Sequence, residues 1–434
     1  MTQSDDKSVQ RSTIAIISWR ILPLIGLGYL FSLMDRINVS FAALQMNEEL
    51  GFSATAYGIG AGAFYLAYAL FEIPSNMLLT RFGARRWLAR IMVTWGILAA
   101  AMMFVRTPAH FYILRFLLGA AEAGFFPGVI YYLSQWFPRA QRGRAISRFY
   151  FFGPLAQTIM GAASPPLLAL HGLAGLSGWQ WLFLVEGLPA ALVGLAIFLL
   201  LPEAPDKVRW LNGEQRQWIE HNLAADAERM KSAGPGGLMA ALSNPATLRF
   251  GLLGFLTIGA LITYALSAPL ILKGAGFSSG EIGTLVAVGG LLGALGMLAT
   301  GWISDRRGER FTTMWISTTI LGLAFALSAM AHSRTAFAVA YLLYGLSWGS
   351  VTLSQVSAWP DVLHGRVLAL GCAAINTLSQ VGAFLMPILW GRAADATGSF
   401  QAGLVGLTLA TAVALLMTAE LASHVRRSLQ ARTA

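Results

Sequence analysis

Long apolar runs recur along the whole chain, from Leu22 to Leu421, and short polar segments separate them. Each run is long enough for an α-helix to cross the hydrocarbon core of a bilayer, which takes about 20 residues. The pattern predicts about twelve transmembrane helices, called spans 1 to 12. Their predicted limits are 19–45, 55–80, 85–105, 109–137, 143–170, 179–201, 246–272, 280–304, 311–331, 335–358, 366–391 and 400–423.

The composition excludes an ordinary soluble protein. Hydrophobic residues make up 56% of the 434 residues, and charged residues make up only 12%. Soluble domains carry about 25% charged residues, and the mean hydropathy here is +0.62. A soluble fold has no interior large enough for this apolar surface, so we expect one integral membrane unit.

The net charge of +10 raises the possibility of nucleic-acid binding, but no basic helix or aromatic-basic module accompanies it. Most Lys and Arg residues instead fall in alternate polar segments, which predicts that both termini are cytoplasmic. The exceptions are Arg106, Lys273, Arg334 and Arg392 in the other loops, and Arg36 and Arg115 within apolar runs.

Three features argue against secretion and against an enzyme. The first apolar stretch carries Asp35 and Arg36 and has no small-residue cleavage site, so it is a helix and not a cleaved signal peptide. Cys372 is the single cysteine and is expected to be a buried, inert thiol. The six histidines lie at helix ends or in loops, and there is no H-E-x-x-H motif or cysteine cluster. We therefore predict no enzyme activity, no metal site and no cofactor.

The longest polar segment divides the chain. We predict a first half at 1–201, a cytoplasmic linker at 202–245 and a second half at 246–434. The linker should contain one amphipathic helix, because Asn212 and Gln215 resemble a capping box. Its apolar residues are expected to lie on the membrane or against the bundle: Trp210, Leu211, Trp218 and Leu223.

The two halves repeat each other in sequence. "TRFGARR" after span 2 aligns with "GWISDRRGER" after span 8, and "RFLLGAAEAG" of span 4 aligns with "AYLLYGLSWG" of span 10. A parallel repeat of this kind predicts a substrate cavity between two six-helix halves, at the middle of the membrane.

The sequence resembles the major facilitator superfamily. The loop signature of that family is complete here as Gly301, Asp305, Arg306 and Gly308. In the first-half copy Arg81, Gly83, Arg85 and Arg86 remain, but Asn76 and Thr80 replace the glycine and the aspartate. This motif is expected either to gate the cytoplasmic side, with Asp305 capping a helix or pairing with an arginine, or to serve as plain topogenic charge.

Within the superfamily the chain resembles the anion:cation symporter group, whose bacterial members lie in the inner membrane. The segments that carry the resemblance are "MDRINVSFAAL", "FEIPSNMLLTRFGARRWLARIMVTWG", "RFLLGAAEAGFFPGVIYYLSQWFP" and "GWQWLFLVEGLP". The resemblance implies an all-α fold with twelve spans in two pseudo-symmetric halves, and symport of organic anions with protons. Leu33 departs from the group, which often has a tyrosine there.

Four ionisable residues lie well inside apolar runs: Asp35 and Arg36 in span 1, and Arg115 and Glu122 in span 4. We call them the charged quartet. Each costs roughly 2.5–3.5 kcal/mol to insert into a membrane and so is a functional candidate. Arg115 and Glu122 are seven residues apart, about 10 Å along a helix, and cannot bridge directly. Span 1 offers each of them a partner of opposite sign, and the alternative is that these pairs only hold two helices together.

The neutrality of the quartet suggests how an anion and a proton would load together. An added anion leaves an unbalanced buried charge, whereas protonation of Asp35 or Glu122 frees an arginine to bind it. As a hypothesis, Arg36 binds the substrate carboxylate through its bidentate fork. Asp35 and Glu122 then carry protons, and Arg115 tunes Glu122 or assists binding. The resemblance implies the same four positions.

Neutral polar residues are expected to complete the cavity. The second choices for substrate binding are Tyr68, Asn376, Ser379 and Gln380, and weaker ones are Tyr150, Gln157, Ser354 and Gln355. Glu72 and Glu186 are interpreted as structural hydrogen-bond acceptors near the cytoplasmic ends of their spans. Glycine-rich stretches such as "GIGAGAF" should permit close helix approach.

The sequence thus predicts proton-coupled uptake of a small organic anion: a sugar acid, a dicarboxylate or an aromatic carboxylate. The expected partners are that anion, protons and the lipid bilayer, with no nucleic acid, and we expect the protein to function as a monomer. A channel or receptor fits less well, because duplicated halves with buried titratable pairs suit alternating access. Among transporters the alternative is an exchanger or exporter of a neutral or cationic solute.

Overall fold

The computed structural model of the protein describes residues 3–231, 243–307, 310–363 and 367–433. These residues form an all-helical protein, and none of them lies in a β-strand. The spans of the first half are Gln3–Glu49, Ala54–Phe82, Ala84–Ala101, Pro108–Glu122 with Phe125–Ser134, Arg139–Tyr150 with Phe152–Leu168, and Gly178–Leu200. Those of the second half are Pro245–Gly274, Ser279–Arg307, Phe311–Met330, Arg334–Val362, Val367–Thr397 and Gln401–Thr433.

The predicted order of twelve spans in two six-helix halves is confirmed. Within the described ranges, 11 helices are long and apolar enough to cross a membrane. The remaining span is span 5, which is divided into two shorter helices at Phe151. Pro154 contributes to this break, because it lacks the N–H that would donate to the carbonyl of residue 150.

Span 4 is also interrupted, at Gly124. This glycine has a φ of +87°, a left-handed conformation that a side chain disfavours. A Cβ added there would also lie 2.7 Å from the Cβ of Ser75 in span 2. The break follows directly on Glu122, the last residue of its helix, so it ends the helix that carries Arg115 and Glu122.

The two halves pack through three pairs of spans: 1 with 7, 2 with 11, and 5 with 8. Glycines allow these approaches, as the sequence predicts. A Cβ added at Gly161 of span 5 would collide with the backbone of Ala287 in span 8, and one at Gly58 with that of Pro387 in span 11.

Polar contacts join the halves at one face of the bundle, which we call the opposite face. The carboxylate of Asp395 accepts hydrogen bonds from the backbone N–H groups of Ala54 and Thr55, at 3.0 and 2.9 Å. Lys273 Nζ donates to the carbonyl of Leu44 at 2.7 Å. These bonds tie the ends of spans 1 and 2 to those of spans 7 and 11.

The other face carries the first residues of span 1, the linker and the end of span 12, and we call it the terminal face. The linker helix is Gly213–Lys231. Its predicted capping box is confirmed, because Asn212 and Gln215 exchange hydrogen bonds of 3.1 and 2.8 Å. The helix packs on the bundle rather than away from it: Trp210, Trp218 and Leu223 lie against the core, and Leu211 is buried.

The linker contacts the first half through side chains at both ends. Gln215 Nε2 donates to Ser12 Oγ at 3.2 Å, and Asp226 accepts from the backbone N–H of Arg139 at 2.6 Å. The Trp210 ring stacks on that of Trp136, with 5.8 Å between centroids.

The expectation that Cys372 is a buried thiol is wrong. This residue of span 11 is only half-buried.

Candidate functional site

A central cavity of ≈ 270 Å³ lies between the two halves. Spans 1, 2 and 5 line it on one side, and spans 7, 8, 10 and 11 on the other. Its lining reaches Trp359, close to the terminal-face end of span 10. Arg36 is the one charged residue among the described residues that line it.

Arg36 is held in place from behind by Glu122. Its Nε and one terminal nitrogen donate to Glu122 Oε1, at 3.0 and 2.7 Å, and Ser32 Oγ donates to the same oxygen at 2.7 Å. The Arg36 side chain is 21% exposed and that of Glu122 is 1% exposed. The Arg36 side chain therefore faces the cavity, whereas the Glu122 side chain is buried behind it.

Arg115 lies deeper and contacts the same aromatic ring as Arg36. The guanidinium carbons of Arg36 and Arg115 lie 5.4 and 4.7 Å from the centre of the Phe64 ring, so one ring contacts both cations. Arg115 is fully buried and does not line the cavity. One of its nitrogens donates to the carbonyl of Ala61 at 3.5 Å, and Nε and the other nitrogen have no hydrogen-bond partner among the described residues.

Asp35 points away from the cavity, into the first half. It is 2% exposed, and Asn38 Nδ2 donates to its Oδ1 at 3.3 Å. Its Oδ2 has no partner in the described part of the chain. The charged quartet suggests two ion pairs between spans 1 and 4. The Arg36–Glu122 pair is present, but Asp35 and Arg115 are not within ion-pair distance. Consecutive residues of an α-helix are rotated by about 100° around its axis, so residues 35 and 36 point to different sides of span 1.

Glu186 corrects a second expectation. It is the ninth residue of Gly178–Leu200, so it lies toward the opposite face and not near the cytoplasmic end of span 6. Both of its carboxylate oxygens are buried and have no partner among the described side chains and backbone. Asn38 and Asp35 are the polar groups that face it.

Glu72, in contrast, does accept hydrogen bonds. Asn376 Nδ2 donates to both of its carboxylate oxygens, at 3.2 and 3.0 Å, and so joins span 2 to span 11. Asn376, Ser379 and Gln380 line the cavity, as do the weaker candidates Tyr150, Gln157 and Gln355.

Two of the predicted polar residues lie outside the lining. Tyr68 is buried beneath Arg36, whose guanidinium carbon lies 5.0 Å from the centre of the ring. Ser354 contacts Ser317 of span 9, with 3.3 Å between their hydroxyl oxygens.

Eight aromatic residues contribute to the cavity lining, and of these only Tyr150 is predicted from the sequence. In a chain this apolar, a tyrosine inside a span carries no signal of which side it faces. Leu33, where the related group often has tyrosine, does line the cavity. The aromatic lining residues are Tyr29, Phe41, Tyr65, Tyr150, Tyr341, Tyr344, Trp348 and Trp359.

The loop-motif residues lie at the terminal face, remote from the cavity. Gly83 has a φ of +86° and begins span 3 directly after span 2. The arginines rest on aromatic rings: Arg81 on Phe82, Arg85 on Phe198 and Arg306 on Trp302. Gly301 lies in span 8 and Gly308 lies outside the described residues. No hydrogen bond or ion pair joins Asp305 to another described residue, so neither predicted partner is present here, and the gating role stays a prediction.

No group of three or more His, Cys, Asp and Glu residues that could hold a metal ion occurs in the part of the chain that the structure describes.

Comparison with known proteins agrees with this architecture. A family model described as Major Facilitator Superfamily matches residues 25–387. A solved structure of similar fold is the partially occluded inward open conformation of the xylose transporter XylE from E. coli, with a TM-score of 0.69 and 17% identity. The likeness covers 93% of this chain and 97% of that chain.

Two curated relatives extend over nearly the whole chain. A putative tartrate transporter of Agrobacterium vitis is 39% identical over 96% of this chain and 93% of its own length. A quinolone resistance transporter of Acinetobacter baumannii is 35% identical over 94% of both proteins. The chain is thus similar to proteins named for transport of different solutes.

Proposed function

Because this chain belongs to the major facilitator superfamily, we propose that it is a secondary transporter that takes up a small organic anion together with protons. A member of this family is a multi-pass membrane protein and not an enzyme. The proposal concerns the finer points: the charge of the substrate, the coupling ion and the direction.

The observation that carries the proposal is the Arg36–Glu122 pair, in which the arginine faces the cavity and the glutamate is sealed behind it. A guanidinium is a bidentate partner for a carboxylate. A substrate carboxylate that binds Arg36 competes with Glu122 for the same donors. Two carboxylates on one guanidinium leave a buried negative charge, which is costly in a membrane interior.

A proton on Glu122 removes this conflict. The neutral carboxyl group releases the charge of Arg36 to the substrate, so binding of the anion and binding of the proton favour each other. Asp35 is a second candidate proton carrier, since its Oδ2 is buried without a partner. Arg115 adds a buried positive charge against the Phe64 ring and helps to balance the anion without touching it.

The proposed topology follows the distribution of Lys and Arg, which makes the terminal face cytoplasmic. The halves are tied at the opposite face, and the cavity lining extends toward the terminal face. In this reading the structure represents the state that releases substrate into the cytoplasm. Rocking of the halves about the central site would expose Arg36 alternately to each side.

A second function is favoured by one specific observation. Eight aromatic side chains contribute to the cavity lining, and a relative is named a quinolone resistance transporter. An exporter or exchanger of a neutral or cationic aromatic solute is therefore the alternative. It predicts that Arg36 is dispensable, because such a solute does not need a cation in the cavity.

The test is uptake into proteoliposomes with an imposed pH gradient, acid outside. The probes are radiolabelled tartrate, gluconate and 4-hydroxybenzoate, which represent the three classes of anion. We expect at least one to accumulate when the gradient is present, and Arg36→Ala to lower that uptake by at least about a hundredfold, as expected when a buried charged partner is lost. Arg209→Ala is the matched control, because Arg209 is exposed in the linker.

The outcomes separate the two functions. Accumulation that requires both the gradient and Arg36 supports anion symport. Lack of accumulation of every anion, or an Arg36→Ala variant as active as Arg209→Ala, rules out the proposed anion site.

A further inference from the structure

We propose that Glu72 and Thr257 are positioning residues that turn two cavity-lining amides so that their oxygen atoms face the substrate. The second half of the cavity then selects organic anions that carry a hydroxyl or N–H donor away from the carboxylate. This inference rests on the proposed function, since it names the class of anion that the same cavity would take.

The first amide is that of Asn376 in span 11. An amide has one end that donates and one that accepts, and its orientation is set by its partners. Asn376 Nδ2 donates to both oxygens of Glu72, which lies outside the cavity lining. A carboxylate only accepts. The nitrogen is therefore fixed toward span 2, and Oδ1 is the end left for the cavity.

The second amide is that of Gln355 in span 10. Its Nε2 donates to Thr257 Oγ1 at 2.8 Å, and that hydroxyl donates to the carbonyl of Leu253 at 2.8 Å. Because the only hydrogen of the hydroxyl is committed to Leu253, Thr257 can only accept from Gln355. These two hydrogen bonds fix the orientation of the Gln355 amide, as Glu72 fixes that of Asn376, and they leave Oε1 for the cavity.

Hydroxyl groups nearby follow the same pattern. Ser379 Oγ donates to the carbonyl of Ile375 at 2.8 Å, and Tyr344 Oη donates to that of Leu261 at 3.1 Å. Both residues line the cavity, and each has lone pairs left to accept. Gln380 also lines the cavity, and its Oε1 has no partner among the described residues.

The cavity is therefore polarised between its two sides. The first half presents a cation, Arg36, and the second half presents fixed acceptors at Asn376 and Gln355. A buried acceptor that finds no donor costs the free energy of its lost water. A hydroxy acid satisfies both sides, whereas an acid that offers only an ether opposite Arg36 leaves the acceptors unpaired.

The experiment measures binding to the purified full-length protein by ligand-induced thermal stabilisation. Two matched sets of probes cover small and aromatic acids: tartrate, 2,3-dimethoxysuccinate and succinate; and 4-hydroxybenzoate, 4-methoxybenzoate and benzoate. In at least one set we expect the hydroxy acid to bind about tenfold or more tightly than its methyl ether, because the ether cannot donate.

Three variants connect this preference to the positioning residues. In Glu72→Leu and in Thr257→Val an amide is free to turn its nitrogen to the cavity, and we expect the preference for hydroxyl over ether to fall below about threefold. Binding of succinate and benzoate, which carry neither a hydroxyl nor an ether, should stay the same. A variant with a damaged fold would lose this binding as well. Glu72→Gln offers Asn376 both an acceptor and a donor, so either orientation of the amide is paired, and we expect a preference between those of the wild type and Glu72→Leu.

Each result decides the matter. If no acid stabilises the protein, the proposed anion transport fails and this inference fails with it. If acids bind but ethers bind as tightly as hydroxy acids, or if Glu72→Leu and Thr257→Val both keep the full preference, only the inference is wrong.

Discussion

At the scale of single residues, the site depends on which charges have partners. Glu122 is buried and receives three hydrogen bonds from Arg36 and Ser32. Asp35 and Glu186 are as deeply buried and have carboxylate oxygens without a partner among the described residues. Glu122 Oε2 also lacks a partner among the described residues, so what distinguishes Glu122 is its ion pair with Arg36. A buried acid that has no such cation is costly when it is ionised.

Replacement of Glu122 by Gln tests its proposed coupling role. Glutamine cannot become negative, so Arg36 stays available to an anion whatever the pH. We expect exchange of substrate across the membrane to remain within about threefold of the wild type, whereas accumulation driven by a pH gradient is lost. Parallel assays of exchange and of gradient-driven uptake in proteoliposomes measure the two activities.

The matched control for this change is Glu214→Gln, which removes the same charge from an exposed position of the linker helix. Gradient-driven accumulation that survives in Glu122→Gln would mean that another group carries the proton.

Replacement of Glu186 by Gln tests whether its carboxyl group is neutral. Since neither oxygen has a described partner, an isosteric neutral side chain should change the free energy of unfolding by less than about 1 kcal/mol. Glu186→Lys introduces an unpaired charge and should prevent stable folding. Thermal unfolding in detergent measures both, and a large loss of stability in Glu186→Gln would contradict the assignment.

At the scale of helices, the breaks in spans 4 and 5 shape the site. Neither break shows in the hydrophobic pattern, because a helix that bends inside the membrane remains apolar throughout. The predicted limits 109–137 and 143–170 accordingly treat each span as one helix. The proline at 154 and the glycine at 124 are visible in the sequence, but so are many others that do not interrupt a helix, such as Pro23 and Gly293.

Replacement of Gly124 by Ala should destabilise the protein. The new side chain would adopt a φ of +87° and press on Ser75, whose hydroxyl accepts a hydrogen bond from Trp87 at 3.0 Å. We expect a loss of roughly 2 kcal/mol or more, from backbone strain and displacement of Ser75. Thermal unfolding of the purified variant measures it.

Gly143→Ala is the control for this change. Gly143 lies within a helix and has no atom within 4 Å of an added Cβ. Alanine there should be neutral or stabilise by up to about 1 kcal/mol. Equal stabilities of the two variants would show that the conformation at Gly124 is not required.

At the scale of the whole molecule, the apolar runs determine the architecture almost completely. Span number and order, the two halves and the family all follow from them and from the repeated motifs. The charge arithmetic also identifies Arg36 and Glu122 as partners. The charges do not show which way the Asp35 side chain points. Residues 35 and 36 are adjacent in sequence, and only the packing of span 1 decides which of them faces the cavity.

The closure of the opposite face gives a prediction for the conformational equilibrium. Asp395→Ala removes both hydrogen bonds to Ala54 and Thr55, which exist only while spans 2 and 11 are in contact. We expect the population open to that face to rise by about tenfold, for a loss of roughly 1.4 kcal/mol. Asp395→Asn retains one acceptor and should have a smaller effect.

Thiol labelling measures this shift. With Cys372→Ser as the background, Ile37→Cys places a single thiol in the cavity lining. A membrane-impermeant maleimide added from the opposite face should react faster in the Asp395→Ala protein. Unchanged labelling rates would mean that these bonds do not hold the face closed.

The attachment of the linker helix to the first half has a practical consequence. Gln215 and Asp226 contact residues of spans 1 and 5, and Trp210 contacts the segment between spans 4 and 5. The linker helix should therefore tilt with the first half when the transporter cycles. A fluorescent donor on exposed residue 214, with an acceptor dye on the terminal-face end of span 9, would then follow single turnovers in real time without a label in the substrate path.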